Sequence, residues 1–427
     1  MPEMLKRELG VLGAVLMGLG SIIGTGVFVS LAIAAGIAGP AVVLAVTIAA
    51  LVAICNGLNS AQLAANHAVS GGTYEYGYRY LNPWLGFTAG WMFLLAKSAS
   101  AATAALGFAG YLLNSLGLVE QSLLVPIALG AVLVLTLIVL NGIQRSNQAN
   151  VGIVAVTLLS LGFFILSGLK PLASMGLSNF TPFFPTENPV KAVLHASALA
   201  FVAYTGYGRI ATMGEEVREP RQTIPRAIGM AMVFTMLLYL AIAIVGVGAV
   251  GASELSRATE TAAPLEVAVR QFGSLGGPQI LAIGAITAML GVLLNLILGL
   301  SRVLMAMGRR GDMPRQVARL NREGTAPSVA VVVIGVAIAF LVLSGNVKTT
   351  WSFSAFTVLV YYAITNLAAL RLSDAERLYP KWLAWTGLLA CLFLAFWVET
   401  QIWLVGLGLI LIGFLWKIGM EALLERG

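Results

Sequence analysis

Charged side chains are scarce in this chain of 427 residues, where Asp, Glu, Lys and Arg together make up only 10% of the sequence. Soluble globular proteins carry about 25% charged residues and 45–50% apolar ones. The composition therefore excludes a soluble enzyme, a disordered chain and a nucleic-acid-binding protein. The formal net charge of +7 does not change this conclusion, because the 25 Lys and Arg residues are spread thinly over the chain.

Cysteine and histidine are nearly absent as well. The two cysteines, Cys55 and Cys391, both lie in apolar segments, so the sequence offers neither a disulfide framework nor the paired spacing of a zinc site. The two histidines, His67 and His195, are too far apart in sequence to indicate a metal cage. We therefore expect no metal centre and no organic cofactor.

Apolar residues, by contrast, make up 59% of the chain, and the mean hydropathy is +0.91. A transmembrane helix needs about 20 mostly apolar residues, and a lipid-exposed span must satisfy its own backbone, which favours a helix. The sequence therefore predicts an all-α integral membrane protein with twelve transmembrane helices. Their approximate boundaries are 10–36, 40–66, 84–113, 122–142, 147–168, 192–216, 226–250, 278–307, 327–344, 348–371, 382–398 and 401–420.

The distribution of Lys and Arg predicts the orientation of these helices. If the N-terminus is cytoplasmic, 18 of these residues fall on the cytoplasmic side and 5 outside, while Lys97 and Arg209 lie within spans. Since cytoplasmic loops carry the positive excess, we expect both termini in the cytoplasm and a multi-pass location in the inner membrane. No separate soluble domain is predicted, so residues 1–420 form one transmembrane domain.

Glycine clusters interrupt two of the predicted spans, at 18–28 in the first and at 201–208 in the sixth. Each Gly costs a helix up to about 1 kcal/mol relative to Ala, and unwound backbone is tolerated in a membrane only where it is buried in protein or lines a cavity. Small residues at four-residue spacing also serve plain helix packing. Two clusters at corresponding positions, however, are typical of a transporter's binding site.

The two interruptions lie five helices apart, and an odd offset gives the two halves opposite orientations. This predicts a five-plus-five inverted repeat, with repeat one at about 10–168, repeat two at about 192–371 and two extra helices at about 382–420. The helix after each interruption offers free N–H groups and a positive dipole end to an anion. Unwound carbonyls nearby accept hydrogen bonds from an ammonium group. Together they predict a site for a zwitterion such as an amino acid.

Four motifs resemble those of the amino acid–polyamine–organocation transporters. The run Gly-Ser-Ile-Ile-Gly-Thr-Gly-Val-Phe at 20–28 resembles the first-helix signature of that family. The stretch Phe-Val-Ala-Tyr-Thr-Gly-Tyr at 201–207, with the Glu-Glu and Ile-Pro-Arg elements of 215–226, resembles its sixth helix and following loop. Residues 301–314 resemble its eighth-helix exit, and Ser-Gly-Gly-Thr-Tyr at 70–74 matches the loop after the second helix. The resemblance runs from about residue 5 to 420 and is specific for the superfamily, not for a substrate.

The resemblance implies the fold of the bacterial leucine transporters and secondary active transport by alternating access. Members carry amino acids, polyamines or related amines by proton or sodium symport, or by exchange. Carried over by position, the substrate carboxylate meets residues of the first interruption and the ammonium meets carbonyls of the second. The two sets are Ser21, Ile22, Ile23, Gly24, Thr25 and Gly26, and Phe201, Ala203, Tyr204 and Thr205. The aromatics Phe201, Tyr204 and Tyr207 are candidate gates, or simply packing residues.

The sequence departs from the family pattern at two positions. Many members place an acidic residue after the Gly-aromatic step of the sixth helix, whereas here Arg209 follows Gly208. Arg209 either pairs with a carboxylate in the bundle, lines the cytoplasmic route, or forms a structural ion pair with Glu215 or its neighbour. Some proton-coupled relatives carry a lysine in the fifth helix, but the equivalent position here is near Thr157, so that mechanism cannot be carried over.

Lys97 lies in the middle of the third predicted span. A charge at the bilayer centre costs on the order of 3 kcal/mol even on insertion scales, so such a residue usually faces the interior and has a function. We hypothesise that Lys97 couples proton movement or contacts the substrate carboxylate; the alternative is a lysine that snorkels or is held in a salt bridge. A cation there disfavours cationic substrates. Tyr207, Arg209 and Glu215 are further coupling or gating candidates.

Other functions remain open at this point. A hydroxyl from Thr287 near the first interruption would favour a sodium site, so coupling by H⁺ or Na⁺ is undecided. A membrane-embedded enzyme would need a catalytic set within the spans, and the sequence has none. A channel or a transport-inactive sensor shares the fold. The sequence favours a proton-coupled amino acid permease whose partners are a small amino acid or related amine and the lipid bilayer, with no nucleic acid.

Overall fold

The computed structural model describes residues 9–67, 71–118, 120–142, 147–211, 217–321 and 325–425. Within these ranges the chain is helical, and the β pairing is limited to one isolated bridge between Leu9 and Val217. In chain order the α-helices are α1 (Val11–Ile22), α2 (Leu31–Ala38), α3 (Val42–Asn66), α4 (Thr73–Tyr80), α5 (Pro83–Ser115), α6 (Leu124–Leu140), α7 (Asn147–Met175), α8 (Pro189–Tyr204), α9 (Gly208–Ala211), α10 (Pro220–Val250), α11 (Ala252–Arg257), α12 (Pro264–Gln271), α13 (Gly277–Arg310), α14 (Ser328–Val342), α15 (Val347–Leu370), α16 (Lys381–Ala395) and α17 (Thr400–Glu425).

Eight helical segments of the described chain are long and apolar enough to cross a membrane. They are Gly26–Asn66, which contains α2 and α3, and Pro83–Ser115, Gln121–Leu140, Gln148–Met175, Pro220–Val250, Gly277–Arg310, Val347–Leu370 and Thr400–Leu423. The predicted all-α, multi-pass membrane architecture is therefore confirmed. The other predicted spans coincide with shorter or interrupted helices, because α1, α14 and α16 have only 12, 15 and 15 residues and α8 ends at the second glycine cluster.

The helices differ in how much apolar surface they leave exposed. α5 and α15 are the most enclosed of the spanning segments, since 78% of the most apolar stretch of each is buried. In α17 only 17% of the corresponding stretch is buried. Large apolar side chains such as Leu133 of α6 and Leu411 and Leu415 of α17 are more than half exposed. Continuous apolar surface of this kind is unfavourable in water, so these faces contact lipid and the α5–α15 pair forms the centre of the bundle.

Amide side chains join α3 to the last helices. Asn59 donates to the carbonyl oxygen of the Asn366 side chain at 2.7 Å, and Gln62 donates to Asn59 at 2.9 Å. Asn366 in turn donates to Asn56, and the Gln62 oxygen accepts the backbone N–H of Leu378 at 3.2 Å. Asn56, Asn59 and Gln62 follow one another at three-residue spacing, so they share a face of α3. These bonds satisfy polar groups inside an apolar bundle and hold α3 against α15 and the segment that leads into α16.

A charged cluster closes one end of the bundle, which we call the arginine-rich end because Arg79, Arg221, Arg310, Arg315 and Arg371 lie there. The Lys417 ammonium of α17 lies 3.2 Å from the Asp312 carboxylate just after α13. The side chains of both residues are almost fully buried, at 4% and 6% exposure. The hydroxyls of Tyr74 and Tyr78 in α4 each donate to the same carboxylate at 2.7 Å. One buried carboxylate therefore connects α4, α13 and α17.

We expect Lys417→Met to destabilise the protein by about 3–5 kcal/mol, because removing one partner of a buried ion pair leaves an uncompensated charge. Lys381→Met is the matched control, since Lys381 is exposed at the start of α16 and surface substitutions change stability by about 0.5 kcal/mol or less. Thermal unfolding of the two variants in detergent micelles measures the difference. Equal melting temperatures would mean that the Asp312–Lys417 pair contributes nothing to stability.

Candidate functional site

The first helix is interrupted inside the bundle. α1 ends at Ile22, and Ile23 takes an extended conformation with φ −83° and ψ 98°. Helical structure resumes with a single π-helical turn at Gly26–Ser30, which leads into α2. Short π-helical segments occur frequently at functional sites. The chain therefore presents the end of one helix and the beginning of another between Ile22 and Gly26, both buried.

Some glycines of the first cluster allow close helix packing, and another lies where the helix is interrupted. Gly18 and Gly20 stay within α1, where an added Cβ would lie 2.3 Å from the Ile210 side chain and 2.3 Å from the Asn150 side chain, respectively. They are packing residues, which was the alternative interpretation of the cluster. The interruption itself falls at Ile23 and Gly24.

The second interruption is milder than the sequence predicts. α8 continues as a regular helix through Phe201, Ala203 and Tyr204, a single 3₁₀ turn follows at Thr205–Tyr207, and α9 begins at Gly208. The predicted unwound stretch 201–208 is thus reduced to one tighter turn. A 3₁₀ turn still changes the hydrogen-bond register of a helix and leaves carbonyls without their usual partners.

The two interruptions contact each other directly. A Cβ added to Gly26 would lie 2.6 Å from the Cβ of Ala203, and one added to Gly206 would lie 2.2 Å from the carbonyl oxygen of Ser21. Only a residue without a side chain fits at either position. The structure therefore brings the two predicted halves of the site together, with glycine at both points of closest approach.

Tyrosine hydroxyls from other helices donate hydrogen bonds to the carbonyl oxygens at this junction. Tyr239 of α10 donates to the carbonyl oxygen of Ile22 at 2.9 Å and to that of Ala203 at 3.3 Å. Tyr362 of α15 donates to the carbonyl oxygen of Thr205 at 3.1 Å. Both tyrosines were missed from the sequence, where only their position in strongly apolar segments marks them.

Lys97 projects from α5 onto the second interruption. Its Nζ donates to the Thr205 hydroxyl at 2.8 Å, and this hydroxyl donates to the carbonyl oxygen of Val202 at 2.8 Å. The lysine is about nine-tenths buried, and no carboxylate among the described residues lies within ion-pair distance of it. The structural salt bridge considered as an alternative is therefore absent from the described chain, and so is a snorkelling lysine.

The predicted carboxylate side of the site has an unused hydroxyl. Thr25 is 4% exposed, and its Oγ1 has no hydrogen-bond partner among the described residues. It stands directly before the π-helical turn, where the first N–H groups of a helix lack intrahelical acceptors. Ser21, by contrast, donates to the carbonyl oxygen of Met17 in its own helix at 3.4 Å.

The candidate gate aromatics are fully buried. The Phe201 and Tyr207 rings both lie against Tyr362, with centroid distances of 5.8 and 5.3 Å, and the Tyr204 ring lies 5.0 Å from that of Tyr239. A cleft of about 520 Å³ opens at the end opposite the arginine-rich end, and none of the predicted site residues line it. In this conformation the junction itself is closed.

The remaining predicted residues are less informative. Arg209 is the second residue of α9, two positions after the 3₁₀ turn, and Glu215 lies outside the described residues. The Thr287 hydroxyl donates within its own helix, to the carbonyl oxygen of Ile283 at 2.7 Å. On α13, a Cβ added to Gly24 would meet the apolar side chain of Val292 at 2.5 Å and the backbone carbonyl oxygen of Ala288 at 3.9 Å.

Hydroxyl pairs extend from Lys97 along α5, at the three-residue spacing of Lys97, Ser100 and Thr103. Ser100 is hydrogen-bonded to Ser354 of α15 at 2.8 Å, and Thr103 to Thr350 at 2.7 Å. All four are buried. We call these four residues the hydroxyl stripe. It leads from Lys97 toward the end opposite the arginine-rich end.

An acidic residue lies beyond the hydroxyl stripe, at that opposite end. The Glu399 carboxylate is 3.2 Å from the His195 imidazole and 3.7 Å from the Lys348 ammonium. Burial alone would raise the pKa of Glu399, but the neighbouring His195 outweighs it, and this pKa is lowered to about 2. The carboxylate therefore stays ionised at physiological pH.

Known membrane transporters are similar to this chain over most of its length. The family model described as amino acid permease matches residues 13–422. An uncharacterized transporter of Mycobacterium tuberculosis is 40% identical over 399 residues, which cover 92% of this chain and 87% of the relative. A branched-chain amino acid permease of Bacillus subtilis is 27% identical over 359 residues, 79% of this chain and 74% of the relative. A methylthioribose transporter of the same organism is 29% identical over 344 residues, 76% and 72% of the two chains.

These names are those of membrane transporters and not of enzymes, which confirms the corresponding predictions from the sequence. The match covers nearly the whole chain, including both interruptions, α5 and α15. The chain belongs to the amino acid permease family.

Proposed function

We propose that this protein is a secondary active transporter that moves amino acids without a cationic side chain across the cytoplasmic membrane by alternating access, coupled to protons. The observation that carries the proposal is the junction of the two interrupted helices with the amino group of Lys97 against it, which donates to the Thr205 hydroxyl and has no carboxylate partner among the described residues. An enclosed amine with no counter-ion among the described residues is costly to keep for packing alone. It also repels a second cation, which argues against cationic substrates.

The substrate site in this proposal uses both interruptions. The carboxylate binds at the beginning of the π-helical turn, which offers N–H groups, the positive end of the helix dipole and the Thr25 hydroxyl, for which the described residues provide no hydrogen-bond partner. The ammonium group binds at carbonyl oxygens of the junction, among them those of Ile22 and Ala203. The apolar and aromatic side chains around Phe201 leave the rest of the pocket suited to an uncharged substrate side chain.

Proton coupling is proposed through Lys97. Its amino group gains and loses a proton as the junction opens and closes, and the hydroxyl stripe supplies polar groups between it and the Glu399 end. Sodium symport and exchange are the competing modes. Proton coupling is preferred here because of Lys97; the α13 atoms nearest to Gly24 are the apolar Val292 side chain and the backbone carbonyl oxygen of Ala288, so a sodium ion at this position would depend on backbone oxygens.

For the topology we propose twelve spans in one transmembrane domain of residues 1–420, in which repeats of about 10–168 and 192–371 are inverted and two helices follow at about 382–420. The interruptions in the first and sixth apolar segments support this arrangement. The arginine-rich end is cytoplasmic by the positive-inside rule, as are both termini.

The substrate is tested by thermal unfolding of the purified protein with each of the twenty amino acids, with and without sodium, at two pH values. A ligand that binds the folded state raises its stability with concentration. We expect stabilisation by a few amino acids with uncharged side chains, independent of sodium. The absence of stabilisation by any of them at millimolar concentration would contradict the proposal, and methylthioribose, for which one relative is named, is then the next ligand to test.

Lys97→Met is expected to abolish accumulation of the substrate driven by a proton gradient in proteoliposomes, while exchange of internal for external substrate continues. The reason is that exchange needs no net proton movement, and methionine fills the space of lysine without an ionisable group. Lys191→Met is the control, because Lys191 is exposed near the start of α8.

Proton-driven accumulation at the wild-type rate in Lys97→Met would refute the coupling role. A variant that loses exchange as well, with a raised KM, would instead assign Lys97 to the substrate carboxylate. Loss of saturable uptake in the wild-type protein itself would favour a channel or a sensor.

We expect Gly206→Ala to weaken substrate binding roughly tenfold or more, since a Cβ at this position lies 2.2 Å from the Ser21 carbonyl oxygen and forces the interruptions apart. Gly208→Ala, two residues away, is the matched control, because its nearest neighbour is the Tyr362 hydroxyl at an ordinary 3.4 Å. The substrate affinities of the two variants are compared through the ligand-dependent shift in melting temperature. Equal affinities would show that the contact between the interruptions is not part of the binding site.

A further inference from the structure

We propose that Tyr239 belongs to the substrate site and that its hydroxyl occupies, in the closed ligand-free protein, the position that the substrate's ammonium group takes on binding. This inference rests on the proposed function and adds to it a residue that competes with the ligand. Tyr239 lies in α10, outside both interrupted helices, and is fully buried.

The geometry of one hydroxyl group points to this role. The Tyr239 oxygen lies 2.9 Å from the carbonyl oxygen of Ile22 and 3.3 Å from that of Ala203. The first carbonyl ends α1 and the second lies in the last turn of α8, so they come from different interrupted helices. Two carbonyl oxygens from opposite halves of the site therefore converge on one point, and a hydrogen-bond donor already occupies it.

A tyrosine hydroxyl cannot fully satisfy two carbonyl oxygens. A phenol has a single O–H hydrogen, which two carbonyls must share here, whereas a primary ammonium group has three N–H donors and a positive charge. Hydrogen bonds from an ionised donor are roughly twice as strong as those between neutral groups. An ammonium group at this position would satisfy both carbonyls at once and displace the phenol.

The phenol is nevertheless needed when no substrate is bound. A buried carbonyl without a partner is unfavourable, and water is excluded from a junction as closely packed as that between Gly26 and Ala203. Tyr239 thus stabilises the empty site and must release at least one carbonyl before an amino acid binds.

Neighbouring aromatic residues do not share this position. The Tyr204 ring packs 5.0 Å from that of Tyr239, but its hydroxyl is directed to the carbonyl oxygen of Val46 in α3, at 3.4 Å. Among the described residues, the Tyr362 hydroxyl donates to one carbonyl oxygen, that of Thr205, at 3.1 Å. Among the hydrogen bonds of the described residues, the Tyr239 hydroxyl is the donor that joins the two interruptions.

The inference makes a specific statement about selectivity. A ligand that carries an α-ammonium group replaces the phenol and regains its hydrogen bonds. A deaminated acid with the same side chain and carboxylate leaves Tyr239 in place. Removal of the Tyr239 hydroxyl should therefore favour only the ligands with an ammonium group.

The test is Tyr239→Phe in the full-length protein, with binding of L-leucine and L-alanine measured beside their deaminated counterparts 4-methylpentanoate and propionate. We expect the affinity for the bound amino acid to increase roughly 5- to 30-fold, which corresponds to one lost competing hydrogen bond. The affinity for the deaminated acid should change less than twofold. Tyr111→Phe is the matched control and should leave both affinities unchanged, because the Tyr111 hydroxyl is equally buried and donates to a backbone carbonyl, that of Phe28 at 2.9 Å.

Two results would overturn the inference while the proposed function stands: an unchanged or weaker affinity of Tyr239→Phe for an amino acid that the wild type binds, or an equal gain for the deaminated acid. A wild-type protein that binds none of the twenty amino acids contradicts the proposed function instead, and the inference with it.

A second measurement does not depend on the stability of the variant. 3-Fluorotyrosine placed at position 239 reports its surroundings through its ¹⁹F resonance in otherwise unchanged protein. The resonance should shift when the amino acid binds and stay in place with the deaminated acid. A resonance that does not respond to a bound amino acid would equally refute the displacement of Tyr239.

Discussion

Backbone groups that leave a helix inside a membrane must find hydrogen-bond partners within the protein, and the arrangement at the centre of this molecule follows from that requirement. The carbonyls of Ile22, Ala203 and Thr205 lie at interruptions, and each accepts a hydrogen bond from a tyrosine of another helix. The helices that supply these donors, α10 and α15, are consequently held against the interrupted pair. The same unsatisfied groups that would destabilise an ordinary span are what a zwitterionic ligand needs.

The central pair α5–α15 forms one side of the junction. Its hydroxyl stripe binds the two helices together by direct hydrogen bonds, and Lys97 extends from that side to Thr205. A charged or neutral amine held in this way is positioned by helices that are enclosed on most sides, and not by a loop. The lipid-facing helices such as α17 are peripheral to this arrangement.

The sequence predicted the features that depend on composition and on local pattern. Apolar segments gave the helices, the two glycine clusters gave the interruptions, and the isolated charge of Lys97 marked a buried functional candidate. It did not distinguish Gly18 and Gly20, which pack within α1, from Gly24, where the helix ends, because glycine serves both purposes. It also could not single out Tyr239 or Tyr362. Their role arises from contacts across more than 150 residues of chain, and a buried tyrosine in an apolar segment has no local signature of its partner.

The Asp312–Lys417 pair has a consequence for biosynthesis. The two residues are 105 positions apart, so at synthesis rates of roughly 5–20 residues per second the carboxylate is made about 5 to 20 seconds before its ammonium partner. During that interval the partners from this cluster that already exist are the hydroxyls of Tyr74 and Tyr78, which precede Asp312 in the chain. This end of the bundle is therefore complete only after α17 has been inserted. A chain that stops before α17 leaves the Asp312 carboxylate without its ammonium partner.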